Sequence, residues 1–255
     1  MFLEVNIIFK EYGKLSTILY EHTKPIGRSV DGDIEYYSEM LKSISGSVLE
    51  AGVGTGRMLI PLIKRGLKVD GVDLSAEMLS QCKVNLEKHE CKAKLYQQDL
   101  TKMSLPTKYD AIIMPTGSFC LLPKSIIGDV LASFYNYLEV GGKAIIDLQL
   151  PTDFKKGEVE SYSCSLDDDG VGILFTSISQ DIDWIKQKVS YIHRYELLKN
   201  GDVQQKEISN FVLYWYGITE FEMLLKSAGF KDVSHVVGYG NENLPYLVTF
   251  TAIKK

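Results

Sequence analysis

Residues 48–56 read Val48-Leu49-Glu50-Ala51-Gly52-Val53-Gly54-Thr55-Gly56. An apolar run ends in an acid, and glycines at alternate positions lead into a segment with helical periodicity. Glycines there let backbone approach a ligand closely, and the following helix start turns N–H groups toward it. The spacing separates the candidate ligands. A dinucleotide loop of the G-x-G-x-x-G type needs its third glycine at position 57, which is Arg57. A phosphate-binding loop needs Gly-Lys-Ser/Thr at its end, and none is present. Glu50 at the strand tip would repel a pyrophosphate but suits a cationic amino group.

Working outward, Val72-Asp73-Leu74-Ser75 places a carboxylate at the end of a second apolar strand, seventeen residues after Gly56. An acid there accepts hydrogen bonds from ribose hydroxyls, as nucleoside cofactors require. Asp99, in Gln98-Asp99-Leu100, follows a third strand and is placed to meet an adenine amino group. A solvated loop aspartate is the alternative at each position taken singly. Acids at three successive strand ends weigh against it.

Around these sites, strand and helix patterns alternate, which predicts a parallel sheet with helices on its faces. A helix is expected over residues 31–44, with Asp31 or Asp33 capping its start. Strands are expected at 47–51, 67–72, 93–97, 109–114 and 144–148. Helices are expected at 57–65, 75–88 and 125–138. After Pro151 the pattern changes: a polar stretch with the acidic run 167–169 precedes segments 171–179, 188–198 and 203–216, rich in β-branched and aromatic residues. Asn200-Gly201 is a two-residue hairpin turn between the last two. About three antiparallel strands, a cap over residues 155–216, are therefore expected after strand five. A capping box, Thr219-x-x-Glu222, opens a late helix ending at Gly229, and two strands near 232–237 and 246–253 finish the chain.

The runs from Glu50 to Gly56, Gly71-Val72-Asp73-Leu74-Ser75-Ala76-Glu77-Met78-Leu79 and Gln98-Asp99-Leu100 resemble the first three motifs of class I S-adenosylmethionine-dependent methyltransferases. Lys108-Tyr109-Asp110-Ala111-Ile112-Ile113-Met114-Pro115 resembles the family's fourth strand, and Leu138-Glu139-Val140-Gly141-Gly142-Lys143-Ala144 its fifth. The resemblance covers about residues 45–150 in the family's order. It implies a single domain over residues 1–255: an α/β, Rossmann-like, seven-stranded, mostly parallel sheet whose last strand is antiparallel. It also implies S-adenosyl-L-methionine as cofactor. Glu50, Gly52, Gly54 and Gly56 would hold the methionine end. Asp73 would bind the ribose with Leu74 against the adenine, while Asp99 takes the adenine amino group and Leu100 walls the ring. Met114 would contact the methionine portion. Arg28 resembles an upstream arginine that grips the cofactor carboxylate, with a solvated surface arginine as the alternative. Val53 departs from the smaller residue or cysteine of many relatives and is tolerated if its side chain points away.

The acceptor side is less distinct. Strand four continues as Pro115-Thr116-Gly117-Ser118-Phe119, not the Asn/Asp-Pro-Pro-Tyr/Phe that clamps planar amide or base nitrogens. Trp184, Tyr191, His193, Tyr195, Tyr214, Trp215 and Tyr216 fall in the inserted strands. Their place resembles the cap of small-molecule methyltransferases acting on glycine and amino sugars, and aromatics are also ordinary strand formers. Tyr191, His193 and Tyr195 are expected to share one face toward the methyl group. No motif assigns a catalytic residue, and His193 as a general base is weighed against a structural role. Net charge is −5 with no basic cluster, which disfavours nucleic-acid partners. Four scattered cysteines without CxxC spacing predict no metal and reduced thiols in a cytoplasmic protein. The start, residues 1–12, lacks a signal-peptide pattern, and no apolar run reaches membrane-span length. The expected partner is a small-molecule methyl acceptor, the protein being monomer or homodimer. A protein or RNA acceptor, a catalytically silent cofactor-binding subunit and an NAD-dependent oxidoreductase are the rival readings.

Overall fold

The computed structural model describes residues 12–167 and 169–255, so the apolar start at 1–11 and Asp168 of the acidic run lie outside it. The strands are β1 (Ser47–Ala51), β2 (Lys68–Asp73), β3 (Leu95–Gln97), β4 (Tyr109–Met114), β5 (Leu138–Gln149), β6 (Val159–Ser165), β7 (Val171–Asp183), β8 (Lys188–Lys199), β9 (Asp202–Tyr214), β10 (Lys231–Val237) and β11 (Leu247–Ile253). The helices are α1 (Lys14–Thr23), α2 (Asp33–Leu41), α3 (Leu59–Lys64), α4 (Ala76–Lys88), α5 (Ile127–Tyr137) and α6 (Ile218–Ser227). They form two compact units. One holds residues 24–153 and 213–255, the other residues 154–212 with the described part of the N-terminus, 12–23.

In the larger unit a seven-stranded sheet runs in the order β10-β11-β5-β4-β1-β2-β3. β1 to β5 pair in parallel where they adjoin, and β11 runs antiparallel to both β5 and β10, as expected. The strands are apolar on both faces because helices cover both. Val130, Leu131 and Phe134 of α5 and Phe221 and Leu225 of α6 pack on Ile112, Ala144, Ile146 and Leu148. On the opposite face, Tyr37 and Leu41 of α2, Leu59 and Leu62 of α3, and Leu79, Cys82 and Leu86 of α4 pack on Val48, Ala111, Ile113 and Ile145. Each fully buried Leu or Ile of these layers contributes roughly 1.5–3 kcal/mol.

Two helix starts differ from expectation. Gly32, with φ 85°, precedes α2, and Asp33 Oδ1 accepts from Val30 N at 2.9 Å from inside the first turn. Asp31 instead accepts from the Tyr246 hydroxyl at 2.8 Å. For α6 the register shifts by two: Glu220, not Glu222, reaches back to accept from Gly217 N at 3.0 Å. A glycine supplies no capping oxygen, so Thr219-x-x-Glu222 loses to the backbone geometry that Gly217 allows.

The smaller unit is a four-stranded antiparallel sheet, β6-β7-β8-β9. Its outermost strand β6 escapes the sequence reading because Val159–Ser165 is almost wholly exposed and carries no apolar alternation. Asn200 and Gly201 both take positive φ, 50° and 87°, as a tight hairpin between β8 and β9 requires. Leu15 and Leu19 of α1 pack on Ile173 and Tyr195. Glu207 of β9 accepts from Leu15 N at 2.9 Å, satisfying a helix-start donor. Tyr214, Trp215 and Tyr216, expected with the cap aromatics, belong to the larger unit. Tyr216 lies in its core, edge-on to Phe119 at 6.0 Å and under the Lys124 ammonium at 4.4 Å.

Candidate functional site

The carboxyl ends of β1, β2, β4 and β5 carry the candidate site, where sheets of this kind bind ligands. After β1 the chain turns through Gly52 (φ 72°), Gly54 (φ 55°) and Gly56 (φ 85°), a left-handed path closed to most side chains. Gly56 is needed twice over: a Cβ there would stand 2.9 Å from Cys82 Sγ of α4. Val53 resolves its own departure from the family pattern. Its side chain turns into the core beneath Gly71 of β2, where a Cβ on that glycine would meet a Val53 methyl at 2.7 Å.

Asp73 is tied into the same loop. One carboxylate oxygen accepts from Gly54 N at 2.8 Å and the other from Ser75 N at 2.9 Å. Burial pushes its pKa up, and the backbone donors pull it back. Glu50 is buried, 3% exposed, and its Oε2 has no hydrogen-bond partner among the described residues. Burial holds its carboxyl well above the usual range; the Arg57 charge opposes this, and Asp33 and Asp73 reinforce it. A buried carboxyl oxygen without a donor costs free energy. A ligand cation or N–H at that oxygen removes the cost.

Arg57, whose presence excluded the dinucleotide pattern, has a structural partner. Its guanidinium pairs with buried Asp33 through both carboxylate oxygens and donates to the Arg28 carbonyl at 2.9 Å. This pair fastens the start of α2 to the glycine loop. The Arg28 side chain itself is exposed.

Met114 ends β4 against the loop, its methyl 3.7 Å from where a Gly52 Cβ would lie, and Ser118 Cβ comes within 3.6 Å of the same point. Leu74 stands 69% exposed beside Asp73. Asp99 is exposed after β3, where its Oδ1 caps the short 3-10 turn Leu100–Lys102 by accepting from Thr101 N and Thr101 Oγ1, both at 2.8 Å. Those bonds hold its carboxyl below the ordinary value. The structure thus clusters Glu50, Gly52, Gly54, Asp73 and Met114, with Asp99 and Leu100 at the next strand end.

The sequence reading assigns no site role to Asp33, read as a helix cap, to Arg57 or Ser118, or to Asp147. Asp147 carried a signal, as the one charge inside the apolar run 144–148. It is fully buried on β5 and accepts from Thr116 N at 2.7 Å, Thr249 Oγ1 at 2.7 Å and the Tyr239 hydroxyl at 2.5 Å. Among the described residues no cluster of His, Cys, Asp and Glu fits a metal ion, and no helix is long and apolar enough to cross a membrane.

The sheet order and the antiparallel last strand define the fold of the class I methyltransferases. Residues 48–142 match the family model described as a methyltransferase domain. YqeM of Bacillus subtilis (strain 168), whose name assigns it as a methyltransferase, is 26% identical over 195 residues, covering 73% of this chain and 74% of that protein. Other curated methyltransferases from Geobacillus and Bacillus are spanned over 41 to 59% of their length. The structure is similar to a S-adenosylmethionine-dependent methyltransferase from Clostridium acetobutylicum ATCC 824, with TM-score 0.75 and 19% identity over 92% of this chain and 96% of that one. It is also similar to the sugar N-methyltransferase KedS8 from Streptoalloteichus sp ATCC 53650, with TM-score 0.77 and 18% identity over 100% and 99%. Residues 48–142 thus match a methyltransferase domain, and the chain shares the fold of these solved methyltransferases.

Proposed function

We propose that this enzyme transfers the methyl group of S-adenosyl-L-methionine to a nitrogen or oxygen of a small-molecule acceptor. The observation that carries the reading is Glu50 Oε2: a buried acid oxygen without a donor among the described residues, beside a left-handed glycine loop, suits a cationic or N–H group. The methionine amino group is such a partner. Asp73 keeps lone pairs for two ribose hydroxyls after its two backbone bonds. Gly52, Gly54 and Gly56 would admit the ligand chain, Met114 would wall it, and Arg28 would meet its carboxylate. Leu74 and Leu100 offer apolar surface to the base, with Asp99 at its amino group.

Bound there, S-adenosyl-L-methionine supplies an electrophilic methyl group on a sulfonium. The residues of the chain then need only align acceptor and cofactor, an effect that can supply roughly 7–11 kcal/mol. We assign acceptor selection to the antiparallel unit. Tyr191 and His193 share one face of β8 and remain half-buried, His193 stacking on Phe211 at 4.5 Å and Tyr191 meeting Phe154 at 5.7 Å. Tyr195 leaves this group because it is buried against α1. His193 serves as an aromatic surface and not as a base. Burial lowers it to about 4, so taking a proton from an ordinary ammonium near 10.4 would cost roughly 9 kcal/mol. The small-molecule acceptor is supported by the fold shared with a sugar N-methyltransferase and by the absence of a basic cluster in the sequence.

Titration calorimetry with S-adenosylhomocysteine and with NAD tests the cofactor half. Binding of the first and not the second is expected, and the reverse overturns the reading. Methyl transfer from labelled cofactor to fractionated metabolites tests the acceptor half. There Tyr191→Ala and His193→Ala lower turnover while leaving S-adenosylhomocysteine affinity unchanged.

A further inference from the structure

In the larger unit, the loop after β4 and the loop between β10 and β11 each hold a residue other than glycine in left-handed backbone, Thr116 with φ 54° and Tyr239 with φ 55°. Such conformations cost free energy and persist only where surrounding contacts enforce them. The two loops are more than a hundred residues apart in sequence, yet both end on one atom. Asp147 Oδ2 accepts from Thr116 N at 2.7 Å and from the Tyr239 hydroxyl at 2.5 Å. The second oxygen accepts from Thr249 Oγ1 of β11, so the carboxylate cannot rotate away without losing a third bond. Tyr239 is held further by stacking on Tyr36 of α2 at 4.5 Å.

The Thr116 loop continues straight into the candidate site. Gly117, φ 72°, presses on Gln149 so closely that a Cβ would come within 2.7 Å of that side chain. Ser118 follows and closes on Gly52 of the glycine loop. A shift of Thr116 therefore moves Ser118 relative to the first glycine.

We propose that Asp147 is the positioning residue of the methyl-transfer site: one carboxylate oxygen locks the loop after β4 to the loop between β10 and β11, and so sets Ser118 against Gly52. The inference rests on the cofactor reading of the glycine loop, but the lock itself does not. Asp147 touches no reacting atom and acts through Thr116.

The chemistry of the lock gives a graded test. In Asp147→Asn the amide oxygen can accept from both Thr116 N and Tyr239, while its N–H₂ donates to Thr249 Oγ1, so all three contacts survive. In Asp147→Leu none does. Tyr239→Phe removes a single contact, far in sequence from the glycine loop. Two readouts are taken on the full chain: amide hydrogen exchange at residues 116–118, and S-adenosylhomocysteine affinity by calorimetry. Tyr239→Phe should speed exchange at 116–118. Asp147→Leu should do so and weaken affinity about tenfold, in keeping with one lost charged hydrogen bond. Asp147→Asn should restore both to within about threefold of wild type, a rescue that mere loss of packing would not show. Unchanged exchange at 116–118 in Tyr239→Phe, or no rescue by Asp147→Asn, overturns the proposal. If Asp147→Leu fails to fold, Tyr239→Phe and Asp147→Asn still decide it. Wild-type protein that ignores S-adenosylhomocysteine while the exchange pattern holds defeats the cofactor reading and leaves the lock standing.

Discussion

Two carboxyls lie buried in the same sheet, Glu50 on β1 and Asp147 on β5, and their surroundings are opposite. Every side of Asp147 meets a donor from the protein: a backbone N–H, a threonine and a tyrosine. Glu50 keeps one oxygen with no hydrogen-bond partner among the described residues. Desolvation raises both acids, to about 6 for Asp147. The difference lies in what completes them. Asp147 is finished by the fold, so its loss falls on the fold. Glu50 is left open, so its loss falls on whatever binds.

The largest expected effect breaks that comparison if it is mistaken. Asp147→Leu strands three donors, the buried Thr249 Oγ1 and those of half-buried Thr116 and Tyr239, and should cost about 3–5 kcal/mol in urea unfolding, toward the lower end of roughly 1–3 per unsatisfied group. Glu50→Leu removes a buried acid one of whose oxygens lacks a partner among the described residues, and should cost less than about 1 kcal/mol, or stabilise. Equal losses in the two variants would end the contrast.

Next comes Asp73, an acid that the fold completes only in part. Asp73→Ala should weaken S-adenosylhomocysteine binding by about 2–4 kcal/mol, and Asp73→Asn by less, since it keeps one acceptor. Unchanged affinity in folded Asp73→Ala would put the ribose elsewhere.

Titration of Asp147 sharpens the contrast from the side of stability. The group sits near 3.8 when exposed and is raised to about 6 by burial, so between those values the folded state binds more protons than the unfolded. Its contribution is full below about pH 4 and is lost as pH rises through 6, about 2–3 kcal/mol in all. The groups facing it do not titrate there: burial and its charge push Tyr37, Tyr36 and Tyr239 up, and the Cys120 thiol is pushed to about 12. Unfolding of wild type and Asp147→Asn at pH 4.5 and 7 should show the steeper fall in the former, since the raised Glu50 and Asp73 act in both. A parallel pair of curves would refute it.

The smallest effect belongs to Asp99. Exposed and occupied with its own turn, it should contribute under about 1 kcal/mol to cofactor affinity when replaced by Ala. A larger loss would mean the ligand draws it in.

What was legible in the sequence follows from how local each signal is. The glycine loop and the β1 and β4 boundaries are read from neighbouring residues, and Asn200-Gly201 announced its hairpin because two adjacent positions must take positive φ. Asp147 announced only that something polar lay in an apolar strand; its partners come from three distant segments. The Asp33–Arg57 pair hid in the same way, since Asp33 alone resembles a helix cap. Tyr214, Trp215 and Tyr216 were expected in the other unit because an aromatic strand reads alike wherever it packs, and the unit boundary falls within β9 at residue 213.

The Asp33–Arg57 pair also bears on how this chain could change over generations. Position 57 is where a dinucleotide loop wants glycine, and a single substitution there would leave Asp33 charged in the core without its cation, at a cost of about 3–5 kcal/mol. A typical domain has only about 5–15 kcal/mol to lose. Mutating Asp33 first strands the arginine instead. Either order passes through a sequence that has lost a large share of that reserve, so the ion pair works as a ratchet against drift of the loop toward another nucleotide.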